Sequence, residues 1–118
     1  MVSPDFTIKQ GNTSPAIDAQ LRDDGGEIDL EDGTVAFRMK HRSTDQVVSG
    51  LCAIRNAENG RVSYIWSDGD TDKPGKYDAE FIVDYSANPP ESIAEFNVDE
   101  TFPSDGFLLI EVTETLDT

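Results

Sequence analysis

The chain has 118 residues and a mass of 13.0 kDa, enough for one domain with a real core over residues 1–118 and too little for a second. Its 24 acidic residues against 9 basic ones leave a formal charge of -15, and without clustered Lys and Arg the expected partners include no nucleic acid. A hydrophobic fraction of 36% gathered in periodic clusters excludes a disordered chain, and no run reaches the roughly 18 apolar residues of a membrane span, so no membrane is expected either.

Read from its start, MVSPDFTIKQ lacks the sections of a signal peptide, and DFTIKQ at residues 5 to 10 reads as a first strand. After a turn at Gly11-Asn12, Ile17, Ala19 and Leu21 alternate with polar neighbours. The acidic stretch that follows, with Asp23, Asp24, Glu27, Asp29, Glu31 and Asp32, reads as a turn-rich hairpin or loop. Val35, Phe37 and Met39 mark the next strand, which leads to the single histidine, His41. Val48, Gly50, Cys52 and Ile54 share one face of a strand, and Val62, Tyr64 and Trp66 share one of the next. The Asn59-Gly60 pair between them predicts a tight type I′ hairpin. Tyr77, Ala79, Phe81, Val83 and Tyr85 form the longest alternation; a short strand is expected within 92–98, and Leu108, Ile110 and Val112 close the series. No window carries apolar spacing of three and four, so no helix is expected. The fold class is all-β, an immunoglobulin-like sandwich of about seven to eight antiparallel strands, with a small barrel as runner-up.

The segment WSDGDTDKPGKYDAEF (66–81) holds the chemistry most open to interpretation. Asp68, Asp70 and Asp72 match the first three oxygen ligands of a calcium loop. Lys73 then stands where that loop needs glycine, and Ala79 where it needs a bidentate glutamate, so these aspartates are weak metal candidates and the expectation is no metal and no cofactor. The alternative is a structural corner of Trp66, Pro74, Gly75 and Tyr77: Pro74 fixes φ, Gly75 frees it, and Tyr77 buries its ring while returning its hydroxyl to the preceding loop.

These residues also resemble those of a known family. The segments FTIKQGNTSPAIDAQLRDDGGEIDL, VAFRMK, GRVSYIW, GDTDKPGKYDAEFIV and ETFPSDGFLLIEV together resemble the small immunoglobulin-like domain at the N-terminus of baseplate upper proteins of tailed phages, found also as a stand-alone protein. The most specific elements are Gly11-x-Thr13-x-Pro15, Tyr64-x-Trp66 with Gly69-Asp70, Pro74-Gly75-x-Tyr77 and Phe102-Pro103-x-Asp105-Gly106. The resemblance implies a non-enzymatic structural adaptor of the virion tail or baseplate, without cofactor, assembled in the host cytoplasm. The chain departs from the longer members in ending at Thr118, which implies that receptor-facing parts belong to another polypeptide. It departs also in its acidic surface, which suits brine and a tailed virus, or a prophage, of a halophilic archaeon, with an ordinary acidic mesophile protein as the alternative.

Two other classes compete. An enzyme needs a nucleophile beside a base or two carboxylates of separated pKa, and one histidine with a lone Cys52 offers neither pattern. A receptor- or sugar-binding module would use aromatic side chains, with Tyr64, Trp66, Phe96 and Phe102 as candidates against a core role for the same rings. A capsid decoration or turret component is a further alternative. The structural reading places docking on the terminal strands through Phe6, Ile8, Leu108 and Ile110, against other virion proteins and in several copies by symmetry.

Overall fold

In a computed structural model, the structure describes residues 5–14, 16–23, 26–27, 29–30, 33–85, 96, 98, 100–103 and 106–114. Its strands are β1 (Phe6–Lys9), β2 (Ile17–Gln20), β3 (Arg22–Asp23), β4 (Gly26–Glu27), β5 (Thr34–His41), β6 (Val47–Leu51), β7 (Ala53–Asn56), β8 (Arg61–Tyr64), β9 (Gly75–Asp84), β10 (Glu100–Phe102) and β11 (Leu108–Thr113). They form a large sheet in the order β1-β11-β9-β5-β6, with β10 also on β9, a three-stranded sheet β2-β8-β7, and a small ribbon β3-β4.

The fold is all-β, a sandwich, for the reason the alternation implies. Phe37 pairs with Phe81, Val35 with Val83 and Met39 with Ala79, all turned to one side of the large sheet. Ile17 pairs with Tyr64 and Ala19 with Val62 on the facing sheet. Between the layers, Val35, Phe37, Met39, Val62, Tyr64, Trp66, Tyr77, Phe81, Val83 and Ile110 make one apolar cluster. Burying such side chains stabilises each by about 1.5–3 kcal/mol relative to exposure, which is what holds the two layers together.

Three details depart from expectation. Among the described residues the sandwich is cut into eleven strand segments, because regular strands are interrupted: β10 and β11 lie along the same side of β9, and β6 and β7 are separated only by Cys52. The run from Val48 to Ile54 is thus not one strand. It leaves the large sheet at Cys52, whose N–H still bonds the Val35 carbonyl at 2.8 Å, and continues as an edge of the small sheet. A second correction concerns strand direction, because β1 runs parallel to β11, from Phe6 opposite Ile110 to Lys9 opposite Thr113. The other pairs are antiparallel.

The third correction is the turn at Asn59-Gly60. β7 and β8 do form an antiparallel hairpin, but through four residues, Ala57 to Gly60, with a register shift between Ile54 and Asn56. Gly60 has φ 69° while Asn59 keeps a negative φ, so the two left-handed residues of a type I′ turn are not both present. The Asn56 side chain explains the choice: its Oδ1 accepts the Asn59 N–H at 3.3 Å and stabilises a wider turn. The strand expected within 92–98 lies largely outside the described residues, as do parts of the acidic stretch 23–32, whose described start is the antiparallel ribbon of Arg22 opposite Glu27 and Asp23 opposite Gly26.

Candidate functional site

The loop from Trp66 to Gly75 joins the two sheets at one end of the sandwich. Trp66, 4% exposed, packs nearly perpendicular to Phe37 (6.0 Å, 82°) and to Tyr64 (5.4 Å, 86°), and lies 6.1 Å from the Phe6 ring. Tyr64 stacks on Phe37 at 4.8 Å. Gly50 makes the room, since a Cβ there would come within 3.0 Å of the Tyr64 ring. The Tyr64 hydroxyl donates to Asp70 Oδ2 at 2.5 Å, and the same oxygen accepts the Ser67 N–H at 2.9 Å. Burial first, and then the hydrogen bond to Asp70 and its charge, raise the Tyr64 phenol above its ordinary value.

At the far side of the loop, the buried Tyr77 donates its hydroxyl to the Lys73 carbonyl at 2.7 Å, closing a corner around Pro74 and Gly75. His41 fills the inside of this corner. Its Nδ1 accepts the N–H groups of Ser43 (3.1 Å) and Thr44 (3.2 Å), which leaves Nε2 to carry the proton and donate to the Pro74 carbonyl at 3.0 Å. The ring meets Tyr77 edge-on at 4.9 Å. Gly75 has φ 140°, a value reserved to glycine, and any Cβ there would overlap the imidazole.

The acidic loop is also tied to the first turn. Thr71, nearly fully buried, donates its hydroxyl to the Asn12 carbonyl (2.7 Å) and accepts the Gly11 N–H on its own carbonyl (3.0 Å); Gln10 donates to the Asp72 carbonyl at 2.8 Å. The motif Gly11-x-Thr13 thus sits beside Asp70 and Asp72 although they are some sixty positions apart. Asp70 is turned onto Tyr64 and Ser67, and among the described residues no three His, Cys, Asp or Glu side chains assemble as a metal-binding group. Asp70 thus caps the turn that begins at Ser67, and the Asp72 backbone carbonyl braces it to Gln10.

The docking candidates divide. Ile8 and Ile110 are 4% and 1% exposed and belong to the core, so their side chains are not offered to a partner; Phe6 and Leu108 are half-buried against it. The aromatic ligand-binding candidates Tyr64, Trp66 and Phe102 are likewise buried, and Phe96 is half-buried. Cys52 is a free, half-buried thiol, and burial pushes it up to about 12, so at neutral pH it carries its proton and is a poor nucleophile.

On the outer face of the large sheet, Arg38, Lys40, Arg42, Asp78, Glu80 and Phe107 line a depression of about 520 Å³. Each cation already faces a carboxylate: Arg38 pairs with Glu80, Arg42 with Asp78 at 2.8 Å, and Lys40 with Asp45 at 3.7 Å. An anionic ligand would have to displace these partners. On the outer face of the small sheet, Ser63 donates to Asp18 and accepts from Arg55 Nε at 3.1 Å, a polar row that links β2, β8 and β7. With His41 part of the opposite corner, that serine has a carboxylate and a guanidinium beside it and no imidazole.

Sequence reasoning missed His41 as a structural residue and Gly50 as the seat of a ring. A lone histidine at the end of a strand, directly before a turn, and a glycine in mid-strand were the available signals, and each needs the facing partner before it has meaning.

The chain matches the family model described as the BppU N-terminal domain over residues 1–102, which covers the sandwich from its first strand through β10. No curated protein matches it.

Proposed function

The chain belongs to the BppU N-terminal domain family, that of baseplate upper proteins, and from that membership we propose that it is a non-enzymatic adaptor of the tail or baseplate that docks on other virion proteins. As a baseplate structural domain it resides in the virion and contacts other virion proteins. The finer reading is a single sandwich domain present in several copies by symmetry, assembled in the host cytoplasm, without nucleic acid, membrane, metal or cofactor. The observation that carries it is the family match over residues 1–102. The site is in keeping with that role: its polar groups are tied into turns and ion pairs that rigidify a scaffold.

Docking falls to backbone edges and exposed positions, since Ile8 and Ile110 face inward. Strand β1 forms one border of the large sheet and exposes Thr7 and Lys9. The acidic surface favours a virus of a salt-loving host, whose brine screens the repulsion. The test is to purify particles carrying a tagged copy of the chain and fractionate heads from tails. Stoichiometric recovery with tails, lost in a Thr7→Glu/Lys9→Glu variant that still folds, is the expected result. Recovery with heads alone favours the capsid decoration, and recovery with neither fraction overturns the virion reading.

A further inference from the structure

We propose that two copies of this chain pair through the open border of β6, antiparallel about a two-fold axis at Ser49. β6 ends the large sheet, and among the described residues no strand pairs with its outer side. The backbone there alternates strictly. His41 donates to the Gln46 carbonyl and Cys52 to the Val35 carbonyl, both at 2.8 Å, with Val48 opposite Met39 and Gly50 opposite Phe37 between them. In an antiparallel ladder the even residues 46 to 52 therefore turn their N–H and C=O toward β5, and Val47, Ser49 and Leu51 turn theirs outward. Among the described residues no strand covers this border.

Its composition departs from the rest of the chain. Residues 46–54, QVVSGLCAI, are the longest stretch without a charged residue in a sequence that is 28% charged. Three of the six large hydrophobic side chains exposed among the described residues lie in it: Val47 (57%), Leu51 (42%) and Ile54 (38%). Edge strands usually carry lysine, proline or a bulge to prevent pairing, and β6 has none of these.

The sequence of the strand selects the occupant. With the axis at Ser49, Val47 of one copy stands opposite Leu51 of the other, and each facing pair exchanges two backbone hydrogen bonds. The strand is its own complement, the condition for an isologous contact. The charge of -15 opposes approach of two copies over most of the surface, and least along the one uncharged strand. This contact therefore strengthens with salt, whereas a contact held by opposite charges weakens.

The experiment is sedimentation velocity of the full chain across a concentration series at low and high salt, with amide hydrogen exchange read residue by residue. The expected dissociation constant is on the order of 10–100 μM, as suits an interface at the small end, and it falls as salt rises. In the dimer the amides of Val47, Ser49 and Leu51 become protected, while those of Val48 and Gly50 are protected in monomer and dimer alike. Ser49→Pro removes an outward donor without touching the β5 ladder and gives a folded monomer; if it fails to fold, Val47→Lys serves, because that side chain is exposed. A monomer under all conditions, a dimer that survives Val47→Lys, or protection appearing at another border would each overturn the proposal. None of these outcomes depends on whether the protein enters a virion.

Discussion

The imidazole of His41 occupies the space that a side chain on residue 75 would need: its Cε1 and Cδ2 lie 3.1 and 3.2 Å from a Cβ built on Gly75. Residues from two neighbouring strands are thus matched, one by filling the corner and the other by having nothing to put there. Gly75→Ala should destabilise by about 3 kcal/mol, combining strain at a positive φ with a displaced hydrogen bond. In a His41→Ala background the same change should cost less, since only the strain remains. Urea denaturation of the four proteins of the cycle measures the coupling, and strict additivity would refute it.

The two tyrosine hydroxyls make unequal bonds. Tyr77 donates to a neutral carbonyl and Tyr64 to a carboxylate. Tyr77→Phe should cost about 1 kcal/mol and Tyr64→Phe about 1.5–2 kcal/mol, because bonds to charged groups are stronger. Equal losses, or none for Tyr64, would show that Asp70 finds water as readily as phenol.

Stability should fall at alkaline pH. Both Cys52, raised from 9.0 to about 12, and Tyr64, raised from 10.0, hold their protons more tightly folded than unfolded. The folded state then binds more protons than the unfolded one, so their contribution is complete below about pH 9 and is lost as pH rises beyond it. Thermal melts between pH 8 and 11 should decline (about one unit either side of the ordinary values), and Cys52→Ala should delay the onset. A flat profile in that range would contradict the burial of these groups.

Added salt should raise the melting temperature. With 24 acids and 9 bases the folded chain repels itself over distances comparable to the Debye length, which shrinks from about 10 Å at 0.1 M to about 3 Å at 1 M. Melts in KCl read the effect directly, and an unchanged or lower temperature in brine would remove the physical basis of the halophilic reading.

Much of the fold was legible because period-2 alternation is a direct image of a half-buried strand: Val35-Phe37-Met39 and Tyr77-Ala79-Phe81-Val83 stand where the pattern put them. Strand borders and directions were not. The parallel pairing of β1 with β11 joins residues more than a hundred positions apart, and no local pattern encodes direction. Likewise, alternation runs unbroken through Val48, Gly50, Cys52 and Ile54 although the chain changes sheets at Cys52 and Val48 is buried while Ile54 is exposed, because a period of two does not say which sheet a residue joins. The corner residues Pro74, Gly75 and Tyr77 were visible as a motif. His41, their partner, was not, because its role is defined by what surrounds it. Nor could exposed Asp68 be told from inward-turned Asp70, since identical carboxylates acquire their roles from the turn that holds them.

The parallel register of β1 on β11 also fixes how the molecule answers to tension. Phe6 enters beside Ile110 and Thr113 leaves beside Lys9, so the two ends depart in opposite directions along the same seam. A pull applied through them shears the whole seam at once instead of unzipping it bond by bond. For a domain of a baseplate structural family, such a clamp resists load through its unfolding barrier and not through its equilibrium stability, because forced rupture is governed by the unfolding rate. Single-molecule pulling through Asp5 and Glu114 should therefore give a high rupture force that drops sharply when Ile8 is replaced by proline.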